Sequence, residues 1–483
     1  MKRRSLLIVV VGLICSVSFL TACGKNFYFA GRNLPPSGVL NRVLVAIQNP
    51  SALSKGSLQF EDALYDIRHA FNNVNVTFSI SGFSGALPVT IQSMPEQQIG
   101  AVYSIGDGSL TLVNYASEKV ASSQTASNLN GISQSIFISR DLLYTYAASQ
   151  TLHSLTIIDH GTTYTLNLPG VYRVSVNPGN TVALAFVQNT NDVYSVVHLN
   201  QDQQQAAVNN PHYNPGLPNS QPAQDCEPQN LPVYCVFPVS SAANASGVST
   251  ATFDRPTKAV FSPDGATAYV LNCGPECGGT TAGITTIPIT TSSLNPSGVG
   301  ASGIALVAQS NIAIPGGVTN GVFSGTTFYA AGQQLQSDGL LAGNLSVVNL
   351  ATGQVTGQYS ISDGTHNKMA LADNDTLWIG SYQCQSGERY KLSQSSAPGT
   401  PFGCITMFNT SNNSVLVESF KGDGTGIAAV TGLNKVYTTE GGQVYIYNTS
   451  DGSARDNTNV TVNGTAYDVA YMDAASDGDN TTY

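Results

Sequence analysis

Ala259-Val-Phe-Ser-Pro-Asp-Gly265, Thr267-Ala-Tyr-Val-Leu-Asn272 and Gly283-Ile-Thr-Thr-Ile-Pro-Ile289 follow one another in the middle of the chain. They read as an apolar alternating strand, a Pro-Asp-Gly turn, a strand of aromatic and β-branched residues, a hairpin and a third strand. Once seen here, the phrase recurs along the whole chain. Its second and third strands align with Arg42–Ile47 and Leu58–Phe60, Gly100–Tyr103 and Ser109–Asn114, Leu143–Tyr146 and Ser154–Asp159, and Val182–Phe186 and Val193–Val197. Further on they align with Thr327–Ala330 and Asn344–Asn349, Leu377–Gly380 and Cys404–Asn409, and Val436–Thr438 and Gln443–Asn448. Eight units at intervals of roughly 40–60 residues have the period of four-stranded propeller blades.

The ends of the chain fit a closed ring. Val43–Ile47 reads as a second strand with no first strand before it, and Tyr467–Tyr471 as a first strand with no second strand after it. The expected fold is therefore all-β, a single β-propeller of four-stranded antiparallel blades over residues 41–475. Eight blades are expected ahead of seven, with the ring closed by the terminal strands.

Residues 1–22 read as an export signal: Lys2-Arg3-Arg4 precedes a 15-residue apolar run, Leu6–Leu20, too short for a comfortable membrane span. Leu20-Thr21-Ala22-Cys23 resembles the lipobox of bacterial lipoproteins, which implies cleavage before Cys23 and lipidation of its thiol. An ordinary secretory signal is the alternative. Residues 23–40 would then be the lipidated cysteine and a spacer, and 476–483 a C-terminal tail. Gly24 in place of aspartate after the cysteine points, within that resemblance, to the outer membrane of the cell envelope where one is present.

Removing residues 1–22 takes away three cations and leaves 16 Lys+Arg against 29 Asp+Glu, a formal charge of −13. Such a chain repels nucleic acid. Six cysteines remain after Cys15 in the signal and Cys23 at the anchor. They fall into close pairs, Cys226/Cys235, Cys273/Cys277 and Cys384/Cys404, and three short-loop disulfides are expected. Zinc at Cys273-Gly-Pro-Glu-Cys277 is the rival reading, although no second Cys or His pair lies near it in sequence.

Phe261-Ser-Pro-Asp-Gly265 with Ala268-Tyr-Val-Leu-Asn272, and Gly343-Asn-Leu-Ser-Val-Val-Asn-Leu-Ala-Thr-Gly353, resemble the repeats of YVTN and lactonase-like β-propellers. The resemblance spans about residues 40–475. Its lactonases imply sugar-lactone hydrolysis, but no catalytic constellation can be matched residue by residue, so none is assigned. Quinoprotein propellers pin their blades with repeated tryptophans, whereas Trp378 is alone here, and no cofactor is expected.

In a propeller the hairpins between second and third strands share a face with the connections between blades. The hairpins Gly274–Ala282 and Gln385–Gly403, and the end of the long insertion near 201–254, should crowd that face as a recognition surface. The turns leading into the first strands should ring the channel mouth. They offer Tyr172, Arg173, Arg255, Lys258, Asn320, His366, Lys368, Asp423 and Asp468 as candidate ligand-binding residues, with a cationic bias that suits a carboxylate or phosphate. His366 is the candidate base among them. Asp373-Asn-Asp375 and the acidic run from Asp473 to Asp479 lack a full calcium loop and read as a turn and a frayed terminus.

The expected function is that of a lipid-anchored extracytoplasmic module, with the membrane as partner through its lipid and a protein, peptide or glycan bound on the loop face. The alternative is a lactonase-like hydrolase acting on a sugar lactone or related anionic small molecule at the channel mouth.

Overall fold

A computed structural model describes residues 34–70, 73–124, 129, 131–208, 223–241, 251–289 and 306–477. The signal sequence, Cys23, most of the spacer, much of the 201–254 insertion and all but two residues of the tail lie outside them.

Eight antiparallel sheets form the eight blades of a β-propeller. Blade 1 is composite: Thr465–Tyr471 is its inner strand, Arg42–Asn49 its second and Lys55–Asp62 its third. Blade 2 runs from Pro88–Met94 to Lys119–Gln124, blade 3 from Ser135–Ile138 to Thr162–Asn167, and blade 4 from Val171–Val176 outward. Blade 5 starts at Pro256–Phe261, blade 6 at Asn320–Ser324, blade 7 at Thr365–Ala372 and blade 8 at Gly424–Val430. Not every blade has four strands. Blades 1 and 8 have three named strands, and blade 4 has five because Asp225–Glu227 adds an outer strand to Tyr234–Pro238.

Each blade is covered on both faces by its neighbours, so central strands read as near-continuous apolar runs instead of strict alternation. Every residue of Tyr144–Ser149 is buried, for instance. Between blades 3 and 4, Tyr146, Leu155 and Ile157 pack with Val171, Val174 and Val187. Trp378 of blade 7 lies 5.4 Å from Tyr447 of blade 8. The lone tryptophan is thus interblade core.

Closure follows the expectation from the chain ends. Val43 pairs with Tyr471 and Val45 with Val469. A buried ionic triad fixes the seam: Arg42 donates from Nη2 to Asp473 Oδ1 at 2.7 Å and from Nη1 to Glu118 Oε1 of blade 2 at 3.0 Å. Asp473 is therefore a buried anchor and no part of a frayed end. Asp477 is also docked, pairing with Arg140 at 3.1 Å.

The three expected disulfides are formed, Cys226–Cys235, Cys273–Cys277 and Cys384–Cys404. The thiols of Cys273 and Cys277 are thereby unavailable to zinc. The Cys384–Cys404 bridge closes a loop with a sequence separation of 20. Replacing both cysteines with serine is expected to cost about 3 kcal/mol of folding stability by restoring loop freedom to the unfolded chain. Urea denaturation of the double variant beside the parent measures this.

Candidate functional site: the loop-bearing face and the channel mouth

The two stapled hairpins and the connections between blades share one face, and side chains lock them to the scaffold. Asp254, in the connection into blade 5, accepts from Thr280 N at 2.9 Å and Thr281 N at 2.7 Å. Glu276 accepts from Gln333 N of blade 6 at 2.8 Å, and Gln333 Oε1 accepts from Gly364 N of blade 7 at 2.8 Å. Burial pushes the Glu276 carboxyl up to about 7. In the Cys384–Cys404 loop, Arg389 N donates to Asp363 Oδ2 at 2.7 Å, while its guanidinium donates to Ile361 O and Ser360 O, each at 2.7 Å.

This second loop shares an aromatic ladder with the connection from blade 7 into blade 8. Tyr390 lies 5.2 Å from Phe402, which stacks on Phe420 at 5.0 Å with 22° between the planes. Tyr390 and Phe420 are 39% and 41% exposed, large values for side chains that could have been buried.

Beside these loops, strand register defines one tier of the channel. The first-strand residues Asp468, Thr90, Ser135, Arg173, Lys258, Asn320, Lys368 and Gly426, in blades 1 to 8, pair with second-strand Ala46, Tyr103, Ala148, Phe186, Leu271, Ala331, Gly380 and Thr439. Those residues pair in turn with Leu58, Leu110, Leu155, Val193, Ile284, Leu345, Ile405 and Val444. The outer position is thus a branched aliphatic in every blade, which identifies the eight inner positions as equivalent. All eight inner residues are polar or glycine.

In blades 1, 2, 4, 5, 7 and 8 the ladder register shifts just beside this inner position. A bulge there re-aims the adjoining side chain. Lys368 of blade 7 reaches across blade 8 to Asp468 of blade 1, with Nζ 3.0 Å from Oδ2. Gly426 lies between them, and a Cβ added there would sit 2.8 Å from Asp468 Oδ1, so only glycine leaves room for the carboxylate.

Five of the nine sequence candidates stand on this tier: Arg173, Lys258, Asn320, Lys368 and Asp468. They lie within strands, beside bulges in four cases, and not in the turns where sequence places them. The other four have different settings. Tyr172 is an interblade strut whose hydroxyl donates to Pro256 O at 3.1 Å. Arg255 precedes its strand with φ 54°, its backbone N–H held by Asn191 Oδ1 at 3.0 Å. Asp423 accepts from Gln383 N at 2.7 Å and so anchors the stapled loop. His366 is 1% exposed, with Nε2 2.8 Å from Ser362 O, and burial pushes its imidazole down to about 4.

No protein-family model matches the chain, and no curated protein matches it in sequence. Among solved structures, dihydro-heme d1 dehydrogenase NirN in complex with DHE superposes with a TM-score of 0.53 at 11% identity, over 90% of this chain and 75% of that one. That likeness is one of fold. The periplasmic gluconolactonase PpgL of Pseudomonas aeruginosa aligns over 89% of this chain and 98% of its own, at 13% identity and a TM-score of 0.41. Apo AztD from Citrobacter koseri aligns over 90% and 98%, at 9% identity and a TM-score of 0.45.

Thr90, Ser135 and Gly426 complete the tier and were not among the candidates. Aligning the units on their third-strand aliphatics would have found them, because each lies a fixed number of ladder steps inward. Among the described residues no group of three or more His, Cys, Asp or Glu is placed to hold a metal ion.

Proposed function

We propose that the protein is a recognition module tethered outside the cytoplasm through Cys23, which binds a macromolecular partner, a protein, peptide or glycan, on its loop-bearing face. The aromatic ladder formed by Tyr390 and Phe402 of the stapled loop and Phe420 of the connection into blade 8 carries this reading. Exposed aromatics held at fixed geometry supply contact area with little ordering cost on binding. The bonds from Arg389, Asp363 and Asp423 provide that fixity. Three disulfides fit an oxidising compartment. Hydrolysis of a lactone, the alternative, needs a base at the mouth, and His366 is turned toward Ser362 O instead.

Capture from cell-envelope extract and from a glycan array, with the parent and the F402A/F420A variant side by side, tests the proposal. A partner held by the parent should lose roughly thirtyfold in affinity with the variant, the effect of about 2 kcal/mol at a hot spot. Equal retention of every captured species by both proteins would refute the assignment of this face.

A further inference from the structure

We infer that the face opposite the recognition loops docks on the lipid bilayer through an apolar patch on blade 1, formed by Leu64, Tyr65, Val74 and Val76. The inference rests on tethering through Cys23. It fixes which way the tethered ring points: the tether face lies against the membrane and the loop-bearing face looks away from it.

The inference begins with the place where the chain enters the ring. Ser37 donates from N and Oγ to Glu118 at 2.9 and 2.5 Å, and Glu118 sits in the turn between Ser109–Asn114 and Lys119–Gln124, the third and fourth strands of blade 2. Ala63, just past the third strand of blade 1, donates from N to Asn41 O at 2.7 Å. Turns that follow third strands lie opposite the second-to-third-strand hairpins, so residues 37–42 run along the face away from the recognition loops. Leu34 lies 11 positions after Cys23, a reach of at most about 40 Å. That length meets the near face directly. Bringing the loop-bearing face down instead would have the tether run the height of the ring, about 26 Å along Arg42–Asn49 alone.

The surface beside this entry is both apolar and pinned. Leu64 and Tyr65 occupy the turn after Lys55–Asp62, where Leu64 N donates to Asp62 Oδ1 at 2.9 Å. Lys435 of blade 8 holds the same turn, donating to Ala63 O at 2.6 Å and Asp66 Oδ1 at 2.7 Å. Val74 and Val76 lie in Asn73–Thr77, which pairs with His69–Ala70. The chain then joins blade 1 as an outer strand, Phe60 N donating to Phe78 O at 3.2 Å and Ile80 N to Leu58 O at 3.0 Å. Gln59 faces Ser79 there, so counting back along this antiparallel pair puts Val76 level with Asp62 and Val74 past the end of the strand. Leu64, Tyr65, Val74 and Val76 are each at least half exposed, and so is Leu34 at the entry. Large apolar side chains held outward in this way mark an interaction surface.

The occupant is the bilayer that holds Cys23. A surface within reach of a short tether meets that bilayer at an effective concentration of order millimolar, so contacts too weak to bind alone become occupied. Tyr65 supplies an aromatic ring with a polar tip, which settles at the headgroup boundary. Asn73 and Asn75 alternate with the two valines, and Asn73–Thr77 belongs to a sheet of only two strands, whose backbone edge needs water. The contact is therefore shallow. A mature chain with 16 cations against 29 anions gains no net attraction to anionic headgroups, which leaves apolar contact as the holding force.

The mature protein, extracted from the membranes of an expressing bacterium and reconstituted with phosphatidylcholine vesicles, tests this in two steps. Flotation reports the tether, and tryptophan emission with and without lipid brominated near the glycerol end of its chains reports the docked face. Buried Trp378 supplies a constant background in the parent. V74W and Y65W should lose roughly half or more of their added emission to bromine, while L335W, at the end of Thr327–Leu335 on the loop-bearing face, should lose none. Adding L64E to V74W should abolish the quenching, and melting temperatures report whether each variant has folded. Failure of the parent to float would refute the tether and the inference with it. Flotation with V74W and Y65W unquenched, or with L335W quenched in their place, would overturn the inference alone. So would a blue shift of V74W that bromine leaves untouched, because a second copy of the chain would then cover the patch.

Discussion

Arg42→Ala is expected to remove about 3–5 kcal/mol of folding stability, because it strands two buried carboxylates at the seam of the ring. Arg42 is 3% exposed and donates to Asp473 through Nε at 3.0 Å and Nη2 at 2.7 Å, and to Tyr115 O and Glu118 Oε1 through Nη1 at 2.7 and 3.0 Å. Glu118 is held a second time by Ser37 N at 2.9 Å, so the triad joins the spacer, blade 2 and both strands of the seam. Burial alone would lower the guanidinium's proton affinity, but Asp473 and Glu118 more than offset it and its pKa lies above the ordinary value. Arg42→Lys keeps a charge but loses the fork, and should fall between the parent and alanine. Urea denaturation followed by fluorescence measures the series. A loss below about 1 kcal/mol for alanine would mean that hydrophobic pairing alone holds the seam.

Glu61→Gln is expected to flatten the pH dependence of stability above mild acidity. Glu61 sits in the third strand of blade 1 opposite Val43, is fully buried, and neither carboxyl oxygen has a hydrogen-bond partner among the described residues. Burial raises its pKa well above the ordinary 4.5, and Arg68 opposes that only in part. Tyr437 of blade 8 is the other titrating group that feels it. The folded protein thus keeps a proton that the unfolded chain releases near 4.5. Stability due to this group is full below that value and falls as pH rises toward the folded pKa, at up to about 1.4 kcal/mol per unit. Glu276 and Glu418, both pushed up to about 7, add slope of the same sign, so the test is the difference between parent and variant. Asp254 lies below its ordinary 3.8 and acts only at lower pH. Identical slopes for the two proteins from about pH 5 to 7 would show that Glu61 is ionised in the fold.

The propeller was legible because its signal is local and repeated. A strand such as Thr267–Asn272 carries its own pattern, Ser262–Gly265 carries its own turn, and eight copies average out the irregular ones. The orphan strands at the two ends needed no long-range information either. The channel tier was only half legible. Arg173, Lys258, Lys368 and Asp468 stand out as charges near strand starts, but their common level depends on bulges, which arise from ladder geometry and leave no mark in composition. His366 differs from Lys368 by two positions, yet one faces Ser362 and the other the channel. The aromatic ladder was invisible because Tyr390 and Phe402 meet Phe420, on the connection into blade 8, only once the disulfide and Arg389 fold the loop. The partners Arg42 and Asp473 are 431 positions apart, beyond the reach of any periodicity.

That separation also sets an order in time. Blade 1 has its second and third strands near the start of the chain and its inner strand near the end, so one sheet stays incomplete until nearly everything else has been synthesised. At translation rates of about 5–20 residues per second, Arg42 waits roughly 20–90 s for Asp473. Until then the unpaired flank of Arg42–Asn49 is an open template for foreign strands. A nascent or truncated chain lacking Thr465–Tyr471 is therefore the form in which this protein should depend on a chaperone.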